Sequence, residues 1–224
     1  MTTPSPRRAF GRSHAIGAPT AARAGVFTMV MRATGTSLML LMLTGCAADR
    51  SKSWNAPEEQ RAFWASLQSL CGLAFEGAIA EDSVANPDFA RTPLVMHVRV
   101  CEEGRLLIPF HIADDRSRTW VLTQTAEGLR LKHDHRHRDG SEDEITQYGG
   151  DTRGPGLPTR QEFYADAHTA SLIPAASTNV WTVEIVPGHM FAYALRREGT
   201  DRRFRVEFDL TRPVAAPPAP WGHD

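Results

Sequence analysis

Three histidines alternate with charged residues in the segment 129–139, which reads Leu-Arg-Leu-Lys-His-Asp-His-Arg-His-Arg-Asp. In an extended strand alternate side chains share a face, so His133, His135 and His137 follow two leucines on one side. We therefore expect the histidines to lean inward near the mouth of a barrel. The opposite face is charged and predicted to be solvated, and its members are Arg130, Lys132, Asp134, Arg136 and Arg138.

The residue types of this segment permit three kinds of role. Imidazoles at positions i and i+2 of a strand can chelate a divalent metal, and Zn, Fe, Ni and Cu all accept histidine ligands. A histidine in a pocket can also act as a general acid or base. A structural role is the third interpretation, because the acidic residues at 142–144 lie across a predicted hairpin and can pair with the strand.

The same segment resembles part of the first cupin motif, in which a glycine precedes His-x-His, a glutamate and a second glycine. The resemblance implies a metal held by the histidine pair and the glutamate, with His133 as the next candidate ligand. The second cupin motif is not matched, since 187–189 carries its residue types at another spacing. The residues that match the first motif are His135, His137, Glu142 and Gly149, with Gly128 displaced by one position.

The segments that must position these side chains are strands. From Leu94 to Leu210 most apolar residues alternate with polar ones, which predicts eight or nine short antiparallel strands and a mainly β fold. Such a succession closes into an antiparallel β-barrel or forms a two-sheet sandwich, and a barrel of this size can hold one small ligand. One helix followed by a meander resembles the calycin barrels in architecture, although the Gly-x-Trp signature and C-terminal helix of lipocalins are absent.

A helix is predicted before the strands. Asn55 can cap it, Pro57 is tolerated in its first turn, and its apolar residues recur at helical spacing. Residues 80–93 are predicted to form a loop. We expect a single β-rich domain with this helix at 56–212 and a proline-rich disordered tail at 213–224.

The sequence 43–46, Leu-Thr-Gly-Cys, follows an apolar run and resembles a bacterial lipobox. The resemblance implies removal of a leader over 1–45 and lipid attachment to Cys46. Residues 46–55 would then form a lipidated tether that holds the domain to a membrane. Because Ala47 rather than Asp follows the cysteine, the enterobacterial sorting pattern implies the outer membrane and its periplasmic face.

The beginning of the leader allows two interpretations. Arg7 and Arg8 are similar to a twin-arginine export signal, but they lie far from the apolar run. Alternatively, translation begins at Met29 or Met31, which leaves a compact charged segment directly before the apolar run. Either interpretation removes the leader from the folded domain.

Two cysteines remain if Cys46 carries lipid. In an oxidising compartment we expect Cys71 and Cys101 to form a disulfide between the helix and a strand. Two buried thiols are the alternative, because the sequence does not give the distance between the two residues.

Charge and composition limit the function. The chain has a formal net charge of −1, but the five arginines and no acids of residues 1–45 leave 20 basic and 26 acidic residues, a charge of −6, on the remainder. An acidic exported domain is a poor nucleic-acid binder. No motif specifies a reaction or a cofactor other than the candidate metal. We therefore favour a membrane-anchored periplasmic β domain that binds a small ligand, for which an apolar molecule is the candidate, or is associated with the envelope, over a cupin-like metalloenzyme or a structural interaction module.

Overall fold

The computed structural model describes residues 54–85, 89 and 92–223, so the predictions for the leader and Cys46 lie outside the described residues. The described chain contains two α-helices, one 3-10 turn and eleven strands. In chain order they are α1 Glu58–Gln68, β1 Ala74–Asp82, β2 Leu94–His97, β3 Val100–Glu102, β4 Arg105–Ile112, β5 Asp115–Thr125, β6 Gly128–His135, β7 Tyr148–Asp151, β8 Arg160–Ala165, α2 Ala167–Leu172, the turn Pro174–Ala176, β9 Asn179–Val186, β10 Met190–Arg197 and β11 Arg203–Val214.

Ten of the strands form one closed antiparallel barrel. From β4 to β11 the strands pair in sequence order, β1 lies beside β11, and β2 pairs with both β1 and β4. Strand β3 pairs with β4 as an addition to this ring. The mainly β prediction is confirmed, and of its two architectures the structure has the barrel, consistent with a calycin-like arrangement.

Alternation along the strands explains the core. On β11, Phe204, Val206, Phe208 and Leu210 are buried, whereas the residues between them are partly exposed. The same period on the other strands turns one apolar face of each into the barrel. The interior is therefore filled by large side chains rather than left as a wide channel.

Helix α1 lies at the end of the barrel where β6 begins. Its Phe63 and Leu67 are fully buried in the core. Gln60 of the same helix donates from Nε2 to Thr152 Oγ1 over 3.1 Å, and a Cβ atom on Gly128 would lie 3.1 Å from that nitrogen. Because β6 starts at Gly128 beside α1, its histidines lie toward the opposite end of the barrel.

The region between α1 and β2 differs from the sequence prediction. Strand β1 occupies 74–82, where the helix end and a loop were expected, because alanine, glycine and acidic residues have low strand propensity. Pairing with β11 on one side and β2 on the other stabilises it. The cap prediction is also wrong: Pro57 occupies the N-cap of α1, and no side chain caps the helix.

The predicted disulfide is confirmed. Cys71 and Cys101 are bonded, with Cα atoms 6.2 Å apart. The bond joins the turn after α1 to strand β3, and thereby links the helix to the sheet.

The C-terminal segment corrects the prediction of a disordered tail at 213–224. Strand β11 continues to Val214, and residues 219–223 contact the barrel. Arg116 donates from Nη1 to the Ala219 carbonyl over 2.9 Å, and the Trp221 amide donates to the Arg116 carbonyl over 3.1 Å. Proline restricts the backbone to extended conformations, so a proline-rich segment can lie along a surface when such contacts hold it.

Candidate functional site

Strand β6 places its histidines along a gradient of burial. Leu129, Leu131 and His133 are 0%, 0% and 3% exposed, as expected for residues on the inward face. His135 is partly buried, and His137, just beyond the strand, is exposed. The predicted inward face is therefore confirmed for the strand itself, with His133 deepest in the barrel.

Both ring nitrogens of His133 are hydrogen-bonded. Nδ1 lies 3.1 Å from the Tyr148 carbonyl oxygen, and Nε2 lies 2.7 Å from the Tyr193 hydroxyl oxygen. A carbonyl only accepts, so Nδ1 carries the proton and the Tyr193 hydroxyl donates to Nε2. The Tyr148 ring stacks on the imidazole, with centroids 4.3 Å apart. These contacts fix one neutral tautomer of His133.

Burial keeps this group of side chains uncharged. Burial lowers the pKa of His133 to about 3. The hydrogen bond to the Tyr148 carbonyl acts to raise this pKa, but its effect is smaller. Burial raises the pKa of Tyr148 to about 12 and that of Tyr193 well above its usual value. At neutral pH these three side chains are therefore uncharged.

His135 lies closer to the barrel mouth. Its Nε2 atom is 3.3 Å from the Tyr148 hydroxyl, and Arg118 is its cross-strand neighbour on β5. Burial, followed by the positive charge of Arg118, lowers the pKa of His135. His135 therefore faces the same space as His133 and is also favoured in its neutral form.

A cavity of about 160 Å³ opens beside these residues. Its walls are mainly aromatic: Trp120 stacks on Tyr193 with centroids 4.5 Å apart, and Phe110 stacks on Trp120 at 5.0 Å. Leu195 and Phe204 contribute further apolar surface. The arrangement can hold a small molecule against a wall of stacked aromatic rings, with hydrogen-bonding groups at one side.

The four predicted metal ligands do not come together. His133 uses both ring nitrogens within the protein, and His135 faces the cavity. His137 Nδ1 lies 4.0 Å from Asp143, whereas Glu142 pairs with Arg136 at 3.0 Å. Across the described parts of the chain, no group of three or more His, Cys, Asp or Glu residues is placed to hold a metal.

The cupin resemblance therefore does not extend to an assembled site. The turn at Asp139-Gly140 separates the histidine pair from Glu142 and directs the glutamate to an exposed position. The amide of Gly140 donates to the His137 carbonyl over 2.9 Å in this turn. Metal binding itself stays a prediction, and its measurement is the metal content of the purified protein.

Asp134 corrects the prediction of a uniformly solvated outer face on β6, because it is only 2% exposed. Its carboxylate accepts hydrogen bonds from His223 over 2.5 Å and from Gln147 over 3.0 Å, and pairs with Arg136 at 3.1 Å. Burial acts to raise the pKa of Asp134, but the bond from His223 and the charge of Arg136 lower it. The C-terminal segment thus covers the outside of the strand whose inside faces the cavity.

The sequence prediction missed the partners that complete the site. Tyr148, Tyr193 and Phe110 lie on three strands other than β6. The available signal was alternation, which places Tyr193 on one face of β10 with Phe191 and Leu195. Which strands meet at one end of the barrel depends on the pairing order, and the local pattern does not contain that information.

Comparison with known proteins provides no relative. No family model matches the chain, and searches of curated proteins and of solved structures gave no match. None of the helices in the described residues is long and apolar enough to cross a membrane.

Proposed function

We propose that this protein is a lipid-anchored β-barrel of the bacterial envelope that binds a small, largely apolar ligand. The observation that carries the proposal is the cavity of about 160 Å³ at the His133 end of the barrel. Apolar cavities of about 150 Å³ in proteins accept a molecule the size of benzene. The ligand site therefore suits a molecule of about one aromatic ring.

The lining supports binding rather than chemistry on the ligand. Ligand pockets are mostly apolar with a few polar groups that fix orientation, and this cavity has that composition. His133 is held neutral by burial and by two hydrogen bonds, so it is a poor general base at neutral pH. We propose that Tyr148 and His135 orient the ligand and that the aromatic rings supply the contact area.

The proposed location depends on the leader and Cys46. The lipobox pattern at 43–46 supports cleavage and lipid attachment, and the residue after the cysteine supports delivery to the outer membrane. The Cys71–Cys101 disulfide is compatible with the periplasm, where disulfides persist. A Cys46→Ser variant is expected to leave the membrane fraction and to lose the mass of the acyl groups.

Ligand binding is tested by calorimetry with benzyl alcohol and toluene on full-length protein carrying Cys46→Ser. Leu195→Trp fills the cavity and is expected to abolish binding, although overpacking costs about 1–3 kcal/mol of stability. Val186→Trp is the matched control, because Val186 is exposed on β9 and lies outside the cavity lining. Failure of both probes to bind the parent protein, or equal binding by Leu195→Trp, contradicts the proposal.

A further inference from the structure

The charged residues of the cavity are of one sign. Arg118 and Arg202 both line it, and none of the described residues in its lining is Asp or Glu. His133 and His135 add no charge at neutral pH, because their pKa values are lowered by burial. The described lining therefore contains two arginines and no carboxylate, and the carboxylates of Asp115 and Asp82 that pair with these arginines lie outside it.

Each arginine is bound through a single guanidinium nitrogen to residues that do not line the cavity. Arg118 pairs with Asp115 through Nη1. Arg202 also uses Nη1, which lies 2.7 Å from Asp82 and 2.7 Å from the Arg203 carbonyl. A guanidinium carries five N–H donors, so Nε and Nη2 of both arginines remain without a partner among the described residues.

The charges act on the cavity tyrosines. Burial raises the pKa of Tyr148, and the charge of Arg118 opposes that rise. Burial, followed by the neighbouring Tyr148, raises the pKa of Tyr193, while Trp120 and then the charge of Arg202 act in the opposite direction. Arg118 and Arg202 therefore act on the tyrosine hydroxyl groups, whereas Asp143, Asp134 and Asp115 act in the opposite sense on His135.

We propose that the cavity selects an anionic ligand, a small aromatic acid whose ring packs against Trp120 and Phe110 and whose carboxylate is bound by Arg118 and Arg202. This inference rests on the proposed ligand-binding function and adds the charge of the ligand that the site selects. A carboxylate accepts two parallel N–H bonds from a guanidinium, and such charge-assisted bonds are roughly twice as strong as neutral ones. An uncharged ligand of the same shape lacks these charge-assisted bonds.

The test compares benzoate with benzamide, which has the same shape without the charge, by calorimetry at pH 7 on the full-length Cys46→Ser protein. We expect benzoate to bind at least about tenfold more tightly, since hydrogen bonds to charged groups contribute about 1.5–3 kcal/mol. Arg118→Gln and Arg202→Gln are each expected to weaken benzoate binding by about tenfold while changing benzamide binding by less than about twofold. Arg118→Lys, which keeps the charge, is expected to retain part of the preference.

Arg130→Gln is the matched control, because Arg130 also pairs with an aspartate but is exposed on the outside of β6. It is expected to bind both probes as the parent protein does. Equal or tighter binding of benzamide overturns the anion inference and leaves the proposed ligand site intact. Absence of binding by both benzoate and benzamide overturns the ligand site itself, and a thermal melt of each variant shows that the protein compared is folded.

Discussion

The Tyr193 hydroxyl donates a hydrogen bond to Nε2 of His133 over 2.7 Å, although 60 positions separate the two residues in the chain. The bond crosses the interior of the barrel from β10 to β6. Both side chains are buried, so the bond is formed largely out of contact with bulk water. This pair joins opposite parts of the wall at the depth where the cavity begins.

Replacing Tyr193 by Phe is expected to reduce the free energy of unfolding by about 1–3 kcal/mol, because it leaves a buried acceptor without a donor. Chemical denaturation measures the change. Tyr164→Phe is the control: its hydroxyl donates to Glu162 over 3.0 Å at a partly exposed position, and we expect a loss below about 1 kcal/mol. Equal losses of unfolding free energy in the two variants would show that the buried hydrogen bond between Tyr193 and His133 adds little stability.

Stability is expected to fall as the pH decreases from about 6.5 to 4. Burial lowers the pKa of His133 to about 3, and burial followed by the charge of Arg116 lowers that of His111 to about 4. Below pH 6.5 the unfolded chain therefore binds more protons than the folded protein, and the stability present above that pH is progressively lost. The slope is at most about 1.4 kcal/mol per pH unit for each such histidine.

Urea titrations at pH 7, 5.5 and 4.5 measure this slope. Folded His133→Gln is expected to show a shallower dependence, because one group that gains a proton on unfolding is removed. His168→Gln replaces an exposed histidine and is expected to keep the parent slope. A pH-independent free energy across the range would contradict the assignment of neutral buried histidines.

Glycine is required at position 150 because strands β7 and β8 approach each other closely there. A Cβ atom there would lie 1.6 Å from the Tyr164 carbonyl oxygen, so Gly150→Ala is expected to separate β7 from β8 and to cost more than about 3 kcal/mol. Gly154→Ala is the matched control, because a Cβ at that position meets no atom within 4 Å. We expect the control to stay within about 0.5 kcal/mol of the parent in thermal or chemical unfolding.

Removal of the disulfide is expected to destabilise the domain strongly. The bond closes a loop with a sequence separation of 30 residues. Constraining a loop of that length in the unfolded chain corresponds to about 3–4 kcal/mol. The double variant Cys71→Ser with Cys101→Ser should show this loss by denaturation, and free-thiol labelling of both cysteines in the unreduced native protein would contradict the bond itself.

The strand class and the orientation of β6 could be predicted from the sequence because both depend on a period of two. The leucines and His133 point inward as the alternation requires. Two things could not be predicted locally. Strand β1 is stabilised by its two neighbours rather than by its own composition, and Asp134 is buried because His223, 89 residues away, covers it.

The candidate site, like the fold, could be predicted from the sequence only in part. The sequence identified the histidines and left a metal site, acid–base catalysis and a structural role open for them, because His-x-His spacing does not reveal what stands across the barrel. Tyr148 and Tyr193 occupy the bonding directions of His133 that a metal would need. Only the closed order of the strands places those two tyrosines there.

Closure of the barrel also affects how readily copies of the protein pair through their strands at high concentration. Within the described chain, β3 is the strand that has a strand neighbour on one side only, and such edges can recruit the backbone of another molecule. It is three residues long, it carries Glu102, and Cys101 bonds it to the turn after α1. A short, charged and covalently fastened edge is a poor template for a second copy. Under the proposed lipid anchoring, which would concentrate copies on a membrane surface, such an edge disfavours strand pairing between molecules.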